Sequence, residues 1–148
     1  MNPTTPIHRQ TLLQNFKTFY QAPDKAGSEL LERLYTQDVE FHDPESNLQG
    51  ILALKQKLRR VKMFTRRSSM QFLDEVVTED SATLTWQANI HHPLVPRGET
   101  VTVRGITQLR FTERIYYHED FYDLGTTVYQ RVPLLGPLIR LLSRYSRA

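Results

Sequence analysis

The sequence predicts an α+β fold: a strongly curved antiparallel sheet carrying helices on its concave side, with an amphipathic helix added at the C-terminus. Three observations predict it. Apolar residues recur at helical spacing in three stretches ahead of Arg66. After Arg67 the period changes to two-residue alternation. The alternating runs are joined by turns such as Glu79-Asp80 and Thr112-Glu113-Arg114, so successive long strands form a meander.

Residues 1–8, with prolines at positions 3 and 6, read as a disordered lead. From Arg9 to Gln21, Leu12, Phe16, Phe19 and Tyr20 follow helical spacing. Pro23-Asp24 breaks that helix. Leu30, Leu31, Leu34 and Tyr35 give a second helix, capped by Ser28 or Asp24. Thr36-Gln37-Asp38 turns the chain into a short strand, where Val39 and Phe41 alternate with Glu40 and His42 until Asp43-Pro44 stops it. Glu45 to Gln49 reads as a loop. A third helix runs from about Gly50 to Met63, with Ile51, Leu54, Leu58 and Val61 on one side. Four strands follow: Met70–Val77, Ala82–His91, Val101–Phe111 and Arg114–Asp123, with Pro93 to Gly98 connecting the second to the third.

A chain of 148 residues with 39% hydrophobic content is one domain able to bury a core. It has no cysteine, which excludes disulfides and thiolate metal sites and fits a reducing cytoplasm. Its N-terminus lacks the apolar core of a secretory signal. No apolar run reaches the roughly 18 residues of a membrane span. The net charge of +3 is unevenly placed: Lys55, Lys57, Arg59, Arg60, Lys62, Arg66 and Arg67 crowd one stretch without an acid. Such a stripe is the footprint of phosphate binding, but no aromatic platform interleaves it, so a solvated helix face is expected and no nucleic acid partner.

The last strand holds the densest chemistry. By two-residue parity Tyr116, His118, Asp120 and Tyr122 share one face, and Ile115, Tyr117, Glu119 and Phe121 the other. An imidazole, a carboxylate and two phenols on one face either line a pocket or lie in an interface. His42 falls on the opposite face of its strand from Asp43. His91 and His92 point oppositely as strand neighbours, so no zinc site is expected there.

Three stretches carry a resemblance: Val39-Glu40-Phe41-His42-Asp43-Pro44 after two helices, Gly50-Ile51-Leu52-Ala53-Leu54 opening the third, and Tyr117-His118-Glu119-Asp120-Phe121-Tyr122-Asp123-Leu124-Gly125. Together they resemble the SnoaL-like branch of the nuclear transport factor 2-like superfamily, over residues 9–125. The resemblance implies a cone: the curved sheet wraps the helices around a deep apolar pocket. Residues 126–148 then form an added tail. The superfamily includes ketosteroid isomerase, limonene epoxide hydrolase, polyketide cyclases, dehydratases and non-catalytic binding modules, and fold alone does not choose among them. Asp43-Pro44 matches the isomerase base motif, while the places of the isomerase's oxyanion donors hold Phe16 and Thr107. Asp120 matches an acid on the last strand of the epoxide hydrolase, but residues 100–112 hold no second acid.

The resemblance therefore implies Asp43, His118 and Asp120 as catalytic candidates. Phe16, Tyr20 and Phe41 would line the pocket from the helices and first strand. Trp86, Thr107, Leu109, Tyr116 and Tyr122 would line it from the later strands. Two functions are open: an acid/base isomerase, cyclase, dehydratase or hydrolase acting on a small oxygenated hydrophobic molecule, or a binding module of the same fold. Neither a metal nor a cofactor is expected, since no phosphate-cradling glycine loop or ligand cluster is present. A homodimer is expected through the polar outer sheet face of Thr83, Thr85, Gln87, Asn89, Arg104, Gln108 and Arg110. In the tail, Pro137 suits a helix start. Leu138, Leu141, Leu142 and Tyr145 then fall opposite Arg140, Ser143, Arg144 and Arg147. That helix reads either as a closing element or as a peripheral contact with the inner membrane face through residues 137–148.

Overall fold

The computed structural model describes residues 5–22, 27–64, 66–91, 96, 99–123 and 136–145. Helix α1 (Pro6–Gln21) starts earlier than apolar spacing alone predicts. Thr5 is its N-cap, its hydroxyl accepting from the His8 amide, and Pro6 takes the first-turn position where a missing N–H costs nothing. The His8 ring Nε2 lies 2.8 Å from the Glu113 carbonyl oxygen, which ties the helix start to the last hairpin turn. Leu12, Leu13, Phe16 and Phe19 are its buried face. Residues 1–4 of the expected lead lie outside the described residues.

Helix α2 (Ser28–Leu34) has Gly27 at its N-cap and passes straight into strand β1 (Tyr35–Asp43). Asp24, the other expected cap, lies outside the described residues. The expected turn at Thr36-Gln37-Asp38 is absent: Tyr35 is the first strand residue and is fully buried. Val39 and Phe41 are buried on the same strand, but Gln37 between them and Tyr35 is exposed and the register with β6 slips between Tyr35 and Glu40. The stretch read as a loop contains strand β2 (Ser46–Gln49), antiparallel to β1 across the Asp43-Pro44-Glu45-Ser46 turn. Gly50 has φ +91, a conformation that favours glycine, and its amide donates to the Val39 carbonyl at 2.8 Å before helix α3 (Ile51–Phe64) begins. Ile51 and Leu54 are buried, whereas Val61, expected on the same apolar side, is 47% exposed.

Strands β3 (Arg66–Val77), β4 (Ser81–His91), β5 (Val101–Phe111) and β6 (Ile115–Tyr122) follow. The sheet order is β2-β1-β6-β5-β4-β3. The pairs are antiparallel except β1–β6, which runs parallel across a long crossover of α3 and four strands. The curled, unclosed sheet buries Ala82, Leu84, Trp86, Ala88 and Ile90 from β4 and Val101, Val103, Leu109 and Phe111 from β5 on its inner face. Helices α1, α2 and α3 pack over one half of that face. Trp86, Ala88, Ile90, Val101 and Val103 make a second cluster beside Met70, Phe72 and Tyr122. Helix α4 (Gly136–Tyr145) is the expected C-terminal helix. The connection at residues 92–95 and 97–98, and tail residues 124–135 and 146–148, lie outside the described residues. No helix among the described residues is long and apolar enough to cross a membrane.

Candidate functional site

Strand β6 does not keep a single parity. Phe111 pairs with Ile115 and Arg110 with Tyr117, so Tyr116 is an extra residue on β6, a β-bulge. The bulge turns Ile115 inward, fully buried, and turns Tyr116 out, 42% exposed. Tyr116 is therefore not on the face of His118, Asp120 and Tyr122, contrary to the alternation read from the sequence. Beyond the bulge the parity holds. His118 faces in beside its register partner Leu109, and Asp120 beside Thr107.

Those inward residues belong to one chain of hydrogen bonds. Among the described residues the buried polar side chains are Thr107 and His118, and both engage Asp120. The Trp86 indole N–H donates to Thr107 Oγ1 at 2.9 Å, and the Thr107 hydroxyl donates to Asp120 Oδ1 at 2.5 Å. Since the indole can only donate, the direction of that arm is fixed. On the other side His118 Nε2 lies 2.8 Å from the same Oδ1. Nδ1 of His118 lies 2.8 Å from the Tyr35 hydroxyl, which lies 2.7 Å from the Tyr20 hydroxyl. Asp120 is an acceptor from both arms. No donor among the described residues reaches its Oδ2, and its side chain is 18% exposed.

The surroundings are aromatic. The His118 ring lies 4.6 Å from Phe41 and 5.6 Å from Phe16, centroid to centroid. Tyr122 lies 6.0 Å from Trp86, and Phe72, the register partner of Trp86, lies 6.2 Å from Phe16. Burial, followed by coupling to Tyr20, pushes the Tyr35 phenol well above its ordinary pKa. Burial, with Asp43, Glu45 and Asp120 nearby, does the same to Tyr122.

Asp43 is committed to its turn. Its Oδ1 accepts from the Glu45 amide at 2.9 Å, the Ser46 amide at 2.8 Å and the Ser46 hydroxyl at 2.9 Å. Lys57 closes an ion pair on its Oδ2 and donates to Ser46 Oγ at 2.7 Å. Burial alone would raise the Asp43 pKa, but the hydrogen bonds from Lys57, Ser46 and Glu45 hold it below the usual aspartate value. This is the helix–hairpin lock that an Asp-Pro turn supplies, and it leaves Asp43 a weak base. His42 faces away, as its parity predicts, with Nδ1 2.7 Å from Asn47 Oδ1.

Two participants escape the sequence reading. Tyr35, expected on a helix, lies on a strand; exposed Gln37 and the register slip before Glu40 break its parity with Val39, so no local pattern finds it. Lys57 was counted in a solvated basic face; its place one turn beyond Leu54 and next to Leu58, at the edge of the apolar stripe, is the signal that finds it.

The family described as the SnoaL-like domain matches residues 16–118. No curated protein matches the sequence. Among solved structures, TsrD from Streptomyces laurentii is similar with a TM-score of 0.68 at 18% identity, covering 88% of this chain and 98% of that one. A protein with a ketosteroid isomerase-like fold from Catenulispora acidiphila, in complex with trimethylamine, gives 0.67 at 19%, covering 87% and 94%. An LEH-like epoxide hydrolase of M. tuberculosis gives 0.65 at 12%, covering 93% and 97%. At these identities the likeness is one of fold.

Proposed function

Because this chain belongs to the SnoaL-like domain family, we propose that its inner face binds a small, oxygenated hydrophobic molecule and that Asp120 moves protons on it. The observation that carries the reading is the state of the Asp120 carboxylate. One oxygen takes both hydrogen-bond arms, while the other meets no donor among the described residues. In this reading Oδ2 takes a proton from a carbon beside a carbonyl, and the C–H electron pair passes into an enolate. The proton then returns to the same or a conjugated carbon. Thr107 and His118 fix the carboxylate during both transfers, and Tyr35 and Tyr20 hold the His118 ring. Tyr122, kept protonated by its surroundings, supplies a donor for the ligand's oxygen. Trp86, Phe41, Phe16, Phe72 and Leu109 supply apolar walls. Asp43 acts as a hairpin lock, not as the base.

The test uses native mass spectrometry to find molecules retained through purification, followed by NMR of α-proton exchange in D2O on the carbonyl compounds that bind. The expected result is exchange by the wild type and a loss of about 10²- to 10⁴-fold in Asp120→Asn, with binding kept. Binding without exchange in the wild type would support the second reading, a binding module. One observation favours that reading: Phe16, packed on His118, cannot donate where the related isomerase has an oxyanion donor. We also infer that two copies pair through the outer sheet face, where Ile106 and Phe121 are register partners and both are exposed.

A further inference from the structure

Helix α4 presents two adjacent leucines outward: Leu141 is 50% exposed and Leu142 59%. Arg140 and Arg144 are exposed beside them, and none of the other described helices or strands packs extensively against α4. From Gly125 to the end the chain has Arg131, Arg140, Arg144 and Arg147 and no Asp or Glu. Exposed leucines beside two arginines on a helix without an acid suit two layers at once, an apolar one and a nearby anionic one. A second copy of α4 meets the first and fails the second, because it brings Arg140 and Arg144 of both copies together with no acid on either helix. A lipid leaflet with anionic headgroups meets both, with the arginine stems lying along the apolar surface and their heads among phosphates.

We propose that α4 docks this protein reversibly on an anionic membrane surface, through Leu141 and Leu142 in the interface and Arg140 and Arg144 at the headgroups. The proposal is independent of the chemistry proposed for Asp120. It gives the protein access to hydrophobic molecules dissolved in a bilayer.

The test is flotation of the full chain with vesicles of phosphatidylcholine alone and of phosphatidylcholine mixed with phosphatidylglycerol. Binding to the mixed vesicles alone is expected, and it should be lost as salt approaches about 1 M, where the screening length falls to about 3 Å. R140Q/R144Q should weaken partitioning by about 30-fold, roughly five-fold for each arginine. L141Q/L142Q should remove binding. Both variants change exposed residues, so unchanged circular dichroism and Trp86 fluorescence are expected and separate lost docking from lost folding. R59Q/R60Q, on the exposed side of α3, is the control and should bind as the wild type does. No flotation by the wild type overturns the proposal, as does equal binding to both vesicle types. So does loss in R59Q/R60Q with retention in R140Q/R144Q. An L141Q/L142Q variant that changes oligomeric state but floats unaltered also overturns it, since α4 would then be a protein interface.

Discussion

Trp86 lies against Gly105, its register partner on β5, so closely that a Cβ at position 105 would fall 2.3 Å from the indole ring. The missing side chain lets the indole cross the strand and reach Thr107 two residues on. One glycine thus makes room for the hydrogen-bond arm that ends on Asp120.

Gly105→Ala should push the indole off β5 and break its bond to Thr107. The expected cost is about 1–3 kcal/mol, the usual range for overpacking a filled core. Urea unfolding should show it, and the emission maximum of Trp86, the one tryptophan in the chain, should shift in the folded state. An unchanged emission spectrum would contradict the arrangement.

The phenols of Tyr35 and Tyr122 should stay silent through the ordinary tyrosine titration range. Both have folded-state pKa values raised above the unfolded value, so their contribution is fully present below about pH 10 and is lost as pH rises through the folded values. Spectrophotometric titration of Tyr122→Phe should therefore show the same tyrosinate amplitude near pH 10 as the wild type. Its stability should also fall less steeply above that pH. A smaller amplitude would mean that Tyr122 titrates normally.

Asp43 has a depressed folded pKa, so its contribution is present above the ordinary aspartate value and is lost as pH falls through the folded one. Urea midpoints of the wild type and Asp43→Asn should differ at neutral pH and converge in acid. Lys57→Met leaves the largely buried carboxylate without its ion pair and should cost about 3 kcal/mol at neutral pH. A Lys57→Met variant as stable as the wild type would show that the lock is unimportant.

Pairing through the outer sheet face makes Ile106 and Phe121 interface residues. Sedimentation at micromolar concentration should give a dimer for the wild type and a monomer for I106E/F121E, with the fold retained because both positions are exposed. A wild type that sediments as a monomer would remove this interface.

Local chemistry made much of this molecule legible from its sequence. Helical spacing found Leu12, Phe16 and Phe19, and two-residue alternation found the inward rows of β4 and β5, because burial imposes those periods directly on the residues. The Asp43-Pro44 turn and the pairing of His118 with Asp120 were legible for the same reason: residues close in sequence are close in space. What the sequence did not determine depends on partners distant along the chain. Tyr116 leaves the inner face because β5 and β6 lose register by one residue at Arg110 and Phe111, and no pattern within β6 alone records that slip. Tyr35 belongs to a strand because β6 pairs with it in parallel, and it reaches His118 only across that pairing. Lys57 meets Asp43 because α3 folds back on the β1–β2 hairpin. Periodicity therefore determined the main buried rows of α1, β4 and β5, and the tertiary structure decided the rest, including which buried donor faces which acceptor, since that choice is set by strand register.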